Sequence, residues 1–179
     1  SLEEKVREVL KRSEDNIRKL EDESRKVLED SERNLRKLKK EVDDAADRVR
    51  RKIKELRERG LDERELRKVE RRVEDVVRRA RELLDRVRKV SKEVHDRNKK
   101  LLDDLRRTSK EVADRLRRVD ARIVDKLIRE VEKINRDVNE KVRTSIEDLK
   151  RINEELNERV ERLIREVERI LKEVEDRAR

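Results

Sequence analysis

Leu2, Leu20, Leu38 and Leu56 stand 18 residues apart, and most apolar residues around them recur at the same interval. Eighteen residues make five turns of a helix with 3.6 residues per turn. A stripe with that period runs straight along an undistorted helix, whereas a heptad repeat forces a supercoil. Between Leu2 and Leu56 the stripe advances in steps of three and four whose mean is 3.6. Ile17, Leu35 and Ile53 form one column, and Leu10, Leu28 and Ala46 another. This pattern predicts an amphipathic helix over 2–58, about 85 Å long at 1.5 Å per residue.

Two further segments repeat the arithmetic. Leu66, Leu84 and Leu102 align in the second, and Val124, Val142 and Val160 in the third. The spacing predicts helices over 62–118 and 121–178. Gly60 is placed to end the first helix in the left-handed conformation, with Leu61 as its hydrophobic companion. Asp62 can cap the second helix, and Glu65 completes a capping-box spacing. The second boundary lacks Gly and Pro. Asp120 can serve as an N-cap there, but the apolar phase runs almost unbroken across it, so one helix of about 117 residues is the competing reading.

Polar residues inside the stripe decide between them. Ser13, Ser24 and Ser31 interrupt the first segment, Ser91, Asn98 and Ser109 the second, and Asn135, Ser145 and Asn153 the third. On antiparallel helices, residues at one height share a midpoint in sequence. The pairs 13 with 109, 24 with 98 and 31 with 91 all centre on 61, at the first turn. The pairs 109 with 135, 98 with 145 and 91 with 153 centre near 122, beside Asp120. Three polar layers form only if the chain turns at both places: Ser13/Ser109/Asn135, Ser24/Asn98/Ser145 and Ser31/Ser91/Asn153. The predicted fold is an all-α, up-down-up antiparallel three-helix bundle, a single domain over 1–179. Buried without partners, such groups would cost about 1–3 kcal/mol each, so they must bond one another, the backbone or water. The competing reading puts some of them at the stripe edge, in solvent. Asn16, Asn34, Asn139, Asn157 and Thr144 flank the layers as possible extensions.

Composition excludes most chemistry. Charged residues are 59% of the chain, and Phe, Tyr, Trp, Met, Cys and Pro are absent. Low hydrophobicity with high charge can mean disorder, but disordered chains lack this periodicity. Without Cys there are no disulfides or thiolate metal sites. No apolar run approaches the roughly 18 residues of a membrane span. The net charge of +9 is the only sign of a nucleic-acid or anionic-membrane partner. Even in the most basic stretches, Arg48–Arg59 and Arg71–Lys92, Glu and Asp interrupt the run, so no uncompensated basic face is expected. His95, the single histidine, occupies the column of Val77 and Ala113, one turn from Asn98. It lacks the further ligands a zinc site requires, and a place beside the Asn98 layer is the simpler expectation.

Idealised repeats, equal thirds, the R-G-L-D-E-R-E turn from Arg59 and the duplicated Ser/Asn cassettes resemble de novo designed helical bundles, of the untwisted kind with buried hydrogen-bond networks. The resemblance covers the whole chain. It implies a scaffold or assembly purpose and no reaction, while one stripe per helix with matching lengths and layers favours a rigid monomeric three-helix rod with no cofactor, metal or required partner. The alternative is a self-assembling module, since doubled columns such as 9/10, 127/128 and 163/164 widen the stripe enough to serve a further helix.

Overall fold

A computed structural model describes residues 1–178. The chain forms three long helices, α1 (Leu2–Glu58), α2 (Glu63–Leu116) and α3 (Ala121–Arg177), packed as a three-helix bundle. Each helix exposes its Glu, Asp, Lys and Arg and turns its Leu, Ile and Val inward, as an apolar stripe requires.

The first turn follows from Gly60. Its φ is +82°, a conformation that costs an L-residue about 1–2 kcal/mol but glycine almost nothing. The Gly60 N–H donates to the Arg57 carbonyl at 3.1 Å and the Leu61 N–H to the Leu56 carbonyl at 3.1 Å. These two bonds make a Schellman turn. Leu56 and Leu61 line one small apolar hole, of about 100 Å³, with Leu66, Val69 and Val174. Asp62 then caps α2: its Oδ1 accepts from the Arg64 N–H at 3.0 Å. Glu65 does not reach back to complete a capping box; its carboxylate takes Arg177 at 3.0 Å instead. A Cβ on Gly60 would meet nothing within 4 Å. Gly60→Ala should therefore cost only the backbone term, about 1 kcal/mol, read as a lower denaturation midpoint with unchanged helicity.

The second turn needs no glycine. α2 stops at Leu116, two residues short of the predicted end at 118. The Arg118 N–H bonds the Arg115 carbonyl at 3.0 Å, tightening the last turn. Asp120 supplies the cap: its Oδ1 accepts from the Arg122 N–H at 3.1 Å and its carbonyl from the Ile123 N–H at 2.9 Å. These bonds and the Arg122 guanidinium hold the Asp120 carboxyl below its ordinary value.

The structure divides into two compact units, each drawing on all three helices. One comprises Ser1–Asp30 with Ser91–Lys150. Its fully buried side chains include Val6, Ile17 and Leu20 from α1, Leu102, Leu105 and Leu116 from α2, and Leu149 from α3. The other comprises Ser31–Val90 and the chain from Arg151 on. Leu35, Ile53 and Leu56 pack there with Val73, Val76 and Ala80 and with Val160, Val167 and Ile170.

Candidate functional site: the buried polar layers

Six of the nine predicted layer residues are fully buried: Ser13, Ser24, Ser31, Ser91, Asn98 and Ser109 are each 1–2% exposed. The three from α3, Asn135, Ser145 and Asn153, are half-buried.

In the first unit the Ser24 layer is the most complete. Ser145 Oγ donates to Asn98 Oδ1 at 2.8 Å, with the Val142 carbonyl as an equally close acceptor. Asn98 Nδ2 donates to Ser24 Oγ at 3.3 Å. Ser24 Oγ lies 3.2 Å from His95 Nδ1. A neutral imidazole protonated at Nε2 gives this chain one direction, from Ser145 through Asn98 and Ser24 to His95. Aligned donors polarise one another, so such a chain is worth more than its separate bonds. His95 is thus the fourth member of the layer, bonded to Ser24 rather than directly to Asn98. It is half-buried, at the edge of a groove of about 360 Å³ that Arg106 and Glu21 also line.

Ser13 and Ser109 bond each other at 2.6 Å across α1 and α2. Asn135 does not join them. Its amide donates to the Val131 carbonyl at 2.9 Å, and its Oδ1 accepts from Asn16 Nδ2 at 3.2 Å. Its amide is taken up by the Val131 carbonyl and Asn16, whereas its counterpart one repeat on, Asn153, also reaches the Ser31 hydroxyl. In the second unit Asn34 repeats this role, with its Nδ2 3.0 Å from Asn153 Oδ1. Asn153 Nδ2 also lies 3.1 Å from Ser31 Oγ. Thr144, expected as a possible extension, is exposed.

Asn139 and Asn157 stand apart. Each is half-buried, and each has a buried Oδ1 with no hydrogen-bond partner. A buried unpaired carbonyl costs about 1–3 kcal/mol. Asn139→Leu and Asn157→Leu should each raise stability by about 1 kcal/mol, measured by denaturant unfolding. A loss of stability in both would mean that these amides are bonded in solution.

One charged cluster in the first unit is not evident from periodicity. Arg106, 29% exposed, reaches from α2 to Glu14 at 3.1 Å and Glu21 at 2.8 Å on α1. The guanidinium holds the Glu14 carboxyl below its usual range. Glu14 and Glu21 are seven residues apart, two turns along one face, and that spacing was the available signal. Most other ion pairs join exposed side chains, and each is worth little.

The described residues offer no group of three His, Cys, Asp or Glu close enough to hold a metal. Nor is any described helix long and apolar enough to cross a membrane. No protein-family model, curated protein or solved structure matches the chain.

Proposed function

We propose that the chain is a designed structural scaffold, a monomeric three-helix bundle with no catalytic role, in which the polar layers select one arrangement of the helices. The observation that carries this reading is the Ser145–Asn98–Ser24–His95 chain, which joins all three helices through side-chain hydrogen bonds. An apolar 18-residue repeat accepts many arrangements almost equally well. The two short turns already forbid a slip by a whole repeat within one chain. What the turns leave free is rotation of a helix about its axis, the side on which α3 packs, and pairing with a second, shifted copy. Each of these would leave buried hydroxyls and amides unpaired, so the layers disfavour them. The pairs Asn16–Asn135 and Asn34–Asn153 bear on the side occupied by α3, because both place α3 against the same face of α1.

The second reading is a self-assembling module. Ile128, Leu163 and Ile164 in the doubled columns are only partly buried, and a further helix would cover them. Light-scattering mass over a hundredfold concentration range separates the two. The scaffold reading expects 21.9 kDa throughout. A mass that rises to a fixed multiple would replace it with the assembly reading.

A further inference from the structure

We infer that the groove between α2 and α3 in the second unit is a binding site for planar aromatic polyanions. The groove holds about 400 Å³ and is lined by Arg79, Glu82, Leu83, Arg86, Arg159, Arg162 and Leu163. Its size falls within the roughly 300–1,000 Å³ of small-molecule sites. Its charge is one-sided, with four guanidinium groups and one carboxylate. Arg79 is partly neutralised by Glu166, at 3.1 and 3.3 Å. Among the described residues, no carboxylate forms an ion pair with Arg86, Arg159 or Arg162, in a structure where most of the other arginines around them have one. The result is a net basic patch, with Glu82 in its lining and Glu166 on Arg79, that the interrupted run from Arg71 to Lys92 did not lead one to expect. Folding supplies it by bringing Arg159 and Arg162 of α3 beside Arg79 and Arg86 of α2.

The ligand class follows from the floor and the rim together. A small inorganic anion would gain only a screened attraction to exposed charges. Leu83 and Leu163 are half-buried and apolar, so they favour a ligand with an apolar face. Guanidinium planes stack on aromatic rings and pair with sulfonate or phosphate oxygens. A flat aromatic ring bearing two or more such groups uses both features, and neither feature alone selects it.

The test titrates the intact chain with pyrene-1,3,6,8-tetrasulfonate at about 0.15 M salt, followed by calorimetry and probe fluorescence. Saturable binding of one probe per chain is expected. The double variant Arg159→Gln, Arg162→Gln should weaken it at least tenfold. A control with the same loss of charge outside the groove, Arg7→Gln with Arg115→Gln, should change it less than twofold. All four positions are exposed, so unchanged helicity checks that folding is intact. Absence of saturable binding, equal weakening by both double variants, or sulfate binding as tightly as the probe would each overturn the assignment.

Discussion

Asn98→Asp should cost the bundle about 3–5 kcal/mol at neutral pH, the penalty for an uncompensated buried charge. The exchange keeps the side-chain shape and replaces the amide NH₂ by an oxygen. Asn98 is 1% exposed, so a carboxylate there loses its hydration. Ser145 could still donate to it, but the bond from Nδ2 to Ser24 Oγ would lose its donor. Among the described residues no Lys or Arg bonds to this position. The pH dependence has a definite sign. Burial favours the neutral carboxyl and raises its folded-state pKa above the unfolded value of about 3.9. The penalty is therefore full above the folded-state pKa, shrinks as pH falls through it, and disappears below about 3.9. It must be measured as a difference from the parent at each pH. Arg106 and Arg72 hold the Glu14 and Glu173 carboxyls below their ordinary range. The parent itself therefore loses stability as acid protonates these groups. A pH-independent difference would show that the site is open to water.

Replacing the whole layer should act in the opposite direction. Asn98→Ala alone removes two interhelical bonds and leaves a void, a loss of about 1–3 kcal/mol. Ser24→Ala, Asn98→Leu and Ser145→Ala together remove donors and acceptors as a set. The triple variant should keep the fold and match or exceed the parent, by about 0–2 kcal/mol, since apolar replacement of both partners is neutral or favourable. His95, at the groove edge, can then bond water. The contrast is read in denaturant unfolding, with mass measured alongside, because losing the layer removes one penalty against pairing with a second copy. Small effects of the same sign in both variants would show that the layer is not a coupled network.

The fold could be read from the chain because its period is nearly uninterrupted and because the exceptions obey a simple geometry. Ser13, Ser24 and Ser31 mirror Ser109, Asn98 and Ser91 about the first turn, and these in turn mirror Asn135, Ser145 and Asn153 about a point beside Asp120, which required the second turn where no glycine marked it. Asp120 was identifiable as a cap by residue type alone. The layer heights were readable too, but the bonding within them was not. Height along a helix follows from sequence number, whereas partner choice depends on side-chain reach and on rotation about the axis. Asn135 therefore turned to Asn16 and the Val131 carbonyl, away from the serine pair it was expected to join. His95 found Ser24, which no spacing rule on α2 alone would indicate. The arginine groove was hidden for the same reason. Charge counted along one helix mixes residues that face the groove with residues that face away, whereas the groove gathers Arg79 and Arg86 with Arg159 and Arg162.

The claim that buried polar groups bond one another across helices is tested most directly at the Asn98 side-chain amide. Solution NMR can follow its exchange with solvent and its short-range contacts. The account predicts Nδ2 protons that exchange as slowly as core backbone amides, with nuclear Overhauser contacts to the Ser24 and Ser145 methylenes. Exchange at the rate of an exposed asparagine, with neither contact, would contradict it.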